Sequence, residues 1–292
     1  TGTNGKSSCV HFLAQCWPHC ERTPAGMIGT LGKGFIHALD DATHTTPDAV
    51  SLQSYLGTLR DKNAGMVALE VSSHALEQGR VDGCEFAAAI FTNLSHDHLD
   101  YHGDMAQYAA AKAKLFLNHP CRIAVVNVDD EYGLDLTARL RDQELLSQIK
   151  VLRYSMSGRE AEVQGQVLSM NRHGLTLALQ TPWGSGTYSP RLAGRFQASN
   201  ITAVATVLGA LGCQWTKVGA AIAQLQSVPG RMQSVDCNQH NQPHVLVDYA
   251  HTPDALAQAI DTARELTSGD LWCVFGCGGD RDISKRPVMG AI

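Results

Sequence analysis

Five short apolar runs, at 66–71, 86–91, 123–128, 245–248 and 271–275, punctuate the chain, and each gives way to polar or glycine-rich residues. Most are followed by a helical pattern. Runs of this length bounded by turn residues predict buried strands. Strand alternating with helix implies an α/β fold whose mostly parallel sheet is flanked by helices. Residues 163–188 break the rhythm, because apolar positions there alternate with Gly, Thr and Trp. That pattern predicts antiparallel hairpins on the flank of the domain. Helical patterns follow over 200–211 and 217–225, and Pro229 with Gly230 interrupts them before a second strand–helix series. The boundary falls there, between a unit of residues 1–228 and a second α/β unit of residues 229–292. No internal repeat or low-complexity tract is present.

The helical stretch 104–118, DMAQYAAAKAKLFLN, contains a conflict. Met105, Tyr108, Ala109 and Phe116 form an apolar stripe at helical spacing, with Lys112 in its middle and Lys114 on the opposite face. A lysine snorkelling to solvent is the ordinary explanation. The sharper one is a lysine facing inward, toward bound metal and triphosphate, which requires its positive charge to be removed or inverted.

Composition narrows the setting. The chain is 44% hydrophobic and 17% charged with a formal net charge of −5, as in an ordinary globular protein. No run of Lys and Arg suits a nucleic-acid or membrane-surface binder. No apolar stretch is long enough to span a bilayer, and no secretory pattern opens the chain. Nine scattered cysteines, an odd number, fit reduced cytosolic thiols. Cys16 and Cys20 lie near His11 and His19, but the spacing matches no usual zinc site. The chain opens inside a phosphate-loop motif without the strand that should feed it, and 287–292 reads as the opening of a helix. A fragment of a longer protein is expected.

That opening string is TGTNGKSS, followed by an apolar helical run. Gly2 and Gly5 let the backbone wrap closely around phosphate oxygens. Lys6 supplies a point charge, Ser7 a hydroxyl for magnesium, and the helix N-terminus favours anions. Taken alone, the string also fits a surface turn before a helix. The ends of the predicted strands carry more chemistry, where ligands of open α/β sheets collect. Glu70 closes the first run, as a magnesium ligand would or as a cap paired with a cation. The second run leads into TNLSHDHLDYHGD, which packs Asn93, His96, Asp97, His98, Asp100 and His102 together. The spacing fits no single zinc site, so most of these side chains should brace a loop while His98 reaches the ion. Tyr249 and His251, after the run that ends at Asp248, either frame a nucleotide or brace their turn. Pro253 fits the first turn of the next helix.

Taken in order, TGTNGKSS, EVSSHALEQGR, FTNLSHDHLDYHGD, the Lys112 helix, GRFQASN, PGRM, VDYAHTPDAL and CVFGCGGDRDISKRP resemble the Mur ligase family along the whole chain. The resemblance is to its diamino-acid-adding members. It implies a P-loop-type central ATP-binding domain over 1–228 that lacks its first strand. The truncated start of a Rossmann-like C-terminal domain follows over 229–292. It also implies ATP and Mg2+ as cofactors, with a CO2-derived carbamate on Lys112. Lys6, Lys112, Glu70 and His98 would be catalytic, and Ser7, Glu70, His98 and carbamylated Lys112 would serve magnesium. Gly2, Thr3, Asn4, Gly5, Lys6, Ser7 and Ser8, with Asn200, Arg231 and His251, would hold the nucleotide. His44, Thr45, Thr46, Ser72, Gln78 and Arg80 would hold a UDP-N-acetylmuramoyl-dipeptide, and Arg281 the incoming diamino acid. The sequence departs from the family pattern at His44 and Gln197, where Asn is frequent, and at Ser7, where Thr is.

The implied reaction is ATP-dependent joining of meso-diaminopimelate to UDP-N-acetylmuramoyl-L-alanyl-D-glutamate through an acyl phosphate, in peptidoglycan precursor synthesis. A cytoplasmic monomer without nucleic-acid or membrane partners is expected. The alternatives are a lysine-adding homologue, another Mur or folylpolyglutamate-type ligase, a P-loop nucleotide switch, and an inactive fragment.

Overall fold

The computed structural model describes residues 1–142, 149–235, 243–277, 283 and 285–292. After the N-terminal loop comes α1 (Lys6–Glu21), then β1 (Ala25–Gly29), β2 (Gly32–Phe35), β3 (Ala38–Asp40), α2 (Ala49–Asp61) and β4 (Met66–Leu69). These strands form a sheet of order β3-β2-β1-β4, in which only β1 and β4 are parallel. The short α3 (Ser73–Glu77) leads to β5 (Ala89–Phe91), α4 (Leu99–His102), α5 (Met105–Leu117), β6 (Ile123–Asn127), α6 (Glu131–Asp142) and β7 (Lys150–Ser155). Three further strands, β8 (Val163–Asn171), β9 (Gly174–Thr181) and β10 (Gly184–Tyr188), precede α7 (Arg195–Ala210) and α8 (Trp215–Ala223).

The antiparallel hairpins expected over 163–188 are present, but not as a separate sheet. β8 pairs in parallel with β7 through Tyr154 and Val163, so the meander continues the parallel sheet in the order β10-β9-β8-β7-β6-β5. β6 shows why helices cover both faces. Ile123 and Val125 belong to the core built with α1 and α7, while Ala124 and Val126 belong to the core built with α2, α5 and α6. Side chains alternate across a strand, and all five residues of β6 are buried. The helix expected over 104–118 is α5, capped by the Asp104 carboxylate, which accepts from the backbone N–H of Gln107 at 2.8 Å.

β4 and β5 are the facing edges of the two sheets. A cavity of about 490 Å³ lies between them, lined by residues of both strands and by Leu13 and Trp17 of α1. Thr1 stands at this cavity, and its ammonium donates to the Ile90 carbonyl at 2.7 Å.

The second unit holds the antiparallel pair β11 (Gln233–Val235) and β12 (Val245–Val247), then α9 (Pro253–Leu266) and α10 (Lys285–Ala291). Thr252 caps α9 with Pro253 in its first turn, as the sequence predicts. The strand expected over 271–275 is not formed. An apolar run becomes a strand only where a neighbour completes its ladder, and this one pairs with no described strand, leaving Trp272 and Val274 almost fully exposed. No described helix is long and apolar enough to cross a membrane.

Candidate functional site

The N-terminal loop lies at the carboxyl end of β5 and is tied there by its own backbone. Thr3 N–H donates to the Asn93 carbonyl at 2.9 Å and Asn4 N–H to Asn93 Oδ1 at 2.8 Å. Thr92 Oγ1 donates to the Asn4 carbonyl at 2.7 Å. Gly5 adopts a left-handed conformation with φ 88°, and a Cβ there would stand 2.4 Å from Asn200 Oδ1. Both constraints require glycine where the chain turns into α1. Lys6 is folded back, its Nζ donating to the Gly2 and Thr3 carbonyls at 2.9 and 2.8 Å. Burial lowers its pKa, against the pull of the Glu70 carboxylate.

Glu70 follows β4 and is 1% exposed. Its carboxylate accepts from Ser7 Oγ at 3.0 Å and from Thr30 N–H at 2.9 Å. Arg231 Nη2 donates to the same Ser7 hydroxyl at 3.0 Å, and its guanidinium stacks over Tyr249 at 4.7 Å. Ser8 is buried in the first turn of α1. Asn200 packs beneath the loop between Cys9 and Gln197.

Lys112 faces inward. It is 1% exposed, its Nζ donates to the Gly2 carbonyl at 2.8 Å, and it stands 4.3 Å over the Tyr108 ring. Burial and the neighbouring Lys6 push its pKa well below the ordinary lysine range. Lys114, on the other face of α5, pairs with Glu77 at 2.7 Å. His98 precedes α4 in a left-handed backbone conformation, φ 55°, and its N–H donates to Asp97 Oδ1 at 2.9 Å. Burial brings its imidazole down to about 4, with Asp97 opposing and His74, Lys6 and Lys112 assisting. His102 is occupied elsewhere, with Nε2 2.9 Å from Ser73 Oγ.

Beside this centre runs a polar rim. Thr45 Oγ1 is 3.0 Å from Thr30 Oγ1, Thr46 Oγ1 donates to the Glu70 carbonyl at 2.7 Å, and Ser72 N–H donates to Thr46 Oγ1 at 3.1 Å. Arg80 donates to the Thr46 carbonyl at 2.8 Å and, through Nε, to Gln78 Oε1 at 2.9 Å. His44 is exposed, with its Nδ1 3.2 Å from Thr43 Oγ1. His251 reaches across, Nε2 lying 3.6 Å from Asp97 Oδ2, while its Nδ1 is 3.0 Å from the Tyr249 carbonyl oxygen. Arg281 lies outside the described residues.

Two contributors escaped the sequence reading. Thr30, after β1, orients Glu70, and Lys285 reaches Asp97 at 2.5 Å. The only local signal for Thr30 is a polar residue just after an apolar run. Among the described residues no three His, Cys, Asp or Glu side chains are grouped as metal ligands. The Ser7 hydroxyl and the Glu70 carboxylate, 3.0 Å apart, are oxygen donors of the kind magnesium takes.

A glycine-containing loop between β5 and the N-terminus of α1, with polar residues at the ends of parallel strands, defines a P-loop-type α/β architecture. The chain belongs to the Mur ligase family, matching the Mur ligase middle domain over residues 1–208 and the Mur ligase, glutamate ligase domain over 230–292. It is 46% identical over 296 residues to UDP-N-acetylmuramoyl-L-alanyl-D-glutamate–2,6-diaminopimelate ligase of Coxiella burnetii, a match covering all of this chain and 59% of that protein. Identity to the protein of that name from Xanthomonas campestris is 48% over 292 residues, covering all of this chain and 58% of the relative. A solved structure of such a ligase superposes with a TM-score of 0.80 at 36% identity, over 99% of this chain and 58% of that one. An FPGS–AMPPCP–folate complex shares the fold alone, with a TM-score of 0.66 at 15% identity. The chain therefore spans somewhat under two thirds of the diaminopimelate ligases it matches, and the family resemblance read from the motifs is borne out.

Proposed function

We propose that this chain is the nucleotide-binding part of an ATP-dependent, ADP-forming amide ligase. The ligase adds meso-diaminopimelate to UDP-N-acetylmuramoyl-L-alanyl-D-glutamate through an acyl phosphate. Residues 1–228 form its central ATP-binding domain and 229–292 part of its C-terminal domain. The observation that carries this reading is Lys112, a buried lysine 2.8 Å from the Gly2 carbonyl of the loop. A switch or motor has no use for such a group, and a ligase that holds magnesium through a carbamate does. The high identity to named diaminopimelate ligases supports the choice of substrate.

The uncharged amine of Lys112 attacks the carbon of CO2. An N–C bond forms, one C–O π pair moves to oxygen, and nitrogen sheds a proton to water, leaving an anionic carbamate. Ser7, Glu70, His98 and this carbamate would hold magnesium, which supplies charge neutralisation for phosphoryl transfer. The loop amides and Lys6 cradle the phosphates once Lys6 leaves the Gly2 and Thr3 carbonyls. Thr45, Thr46, Ser72, Gln78 and Arg80 orient the carboxylate substrate, with His44 at their margin and Arg281 gripping the diamino acid. Asn200, Arg231 and His251 complete the nucleotide site.

Incubation with 13C-bicarbonate tests this directly. The wild-type chain is expected to give one 13C carbamate resonance that is missing in Lys112→Arg, and calorimetry is expected to detect Mg-ATP binding that Lys6→Ala weakens. A wild-type spectrum indistinguishable from that of Lys112→Arg would overturn the carbamate.

A further inference from the structure

We infer that Asp97 fastens the second unit over the phosphate loop, as a positioning residue outside the chemistry proposed above. Its carboxylate is 2% exposed and belongs to the loop after β5, within the first unit. Two side chains of the second unit converge on it. Lys285, the first residue of α10, places Nζ 2.5 Å from Oδ1, and His251, just before α9, places Nε2 3.6 Å from Oδ2. One carboxylate thus collects both helices of the second unit.

Among the described residues, Arg231 also crosses to Ser7 in a part-buried hydrogen bond, and two further contacts between the units are solvent-exposed. Arg195 and Glu265 are 61% and 42% exposed, and the Asn4–Asp254 hydrogen bond lies at the surface. Exposed pairs contribute little. Removing one partner of a buried pair leaves an uncompensated charge and costs far more. The Lys285 side chain is only 14% exposed, so this pair belongs to the second kind. Asp97 also binds the His98 N–H at 2.9 Å, so the carboxylate that seats the second unit also shapes the backbone of a site residue. Lys6 and Lys112 also feel the charge of Asp97. The inference rests on these contacts alone and holds whatever the amine substrate is.

Hydrogen exchange of the intact 292-residue chain, without nucleotide, tests it. Lys285→Met is expected to speed exchange in α9 and α10 about tenfold while leaving β6 and α7 unchanged. Asp97→Asn, which keeps the acceptor for the His98 N–H, should do the same, and the double variant should add little to either. Lys285→Arg should restore protection. Unchanged exchange in α9 and α10 of Lys285→Met, fully additive effects, or no rescue by arginine would each overturn the role. Should Asp97→Asn fail to fold, the two Lys285 variants decide alone.

Discussion

In the proposed reaction Lys112 trades stability for chemistry. A buried amine loses its hydration, and here it recovers only a bond to the Gly2 carbonyl and a place over the Tyr108 ring. Lys6 already donates to that same carbonyl, so removing Lys112 leaves no orphaned acceptor. Replacement by an apolar side chain of similar length should therefore stabilise the fold. Lys112→Met is expected to raise the free energy of unfolding by on the order of 1–2 kcal/mol, measured by urea denaturation. A lower midpoint in urea would mean that the lysine is structural. This residue was legible in the sequence because the conflict was local, a charge inside an apolar stripe at helical spacing. Thr30 and Lys285 were not. Their partners Glu70 and Asp97 lie 40 and 188 positions away, and only the tertiary fold brings them together.

At the scale of elements, local pattern predicts a strand well where the strand is buried on both faces, as β6 is. It misses β1, β2 and β3, which are short, the first two carrying glycines, and whose order depends on pairing with β4. It overcalls 271–275, since an apolar run carries no information about whether a neighbour is present.

At the scale of the whole molecule, two units meet across the phosphate loop. The first supplies the loop, Glu70, His98 and Lys112, and the second reaches over it with Arg231, His251 and Lys285. That arrangement would suit the proposed reaction, in which phosphoryl transfer must be shielded from water until the amine arrives. Family membership rests on both units, matched in order along the chain. The most direct measurement is ADP release by the complete ligase carrying this chain, with each substrate omitted in turn. Rapid release is expected only when ATP, magnesium, UDP-N-acetylmuramoyl-L-alanyl-D-glutamate and meso-diaminopimelate are all present, and Lys112→Ala should reduce it by orders of magnitude. Release at full rate without the diamino acid, or with folate and glutamate alone, would contradict the account.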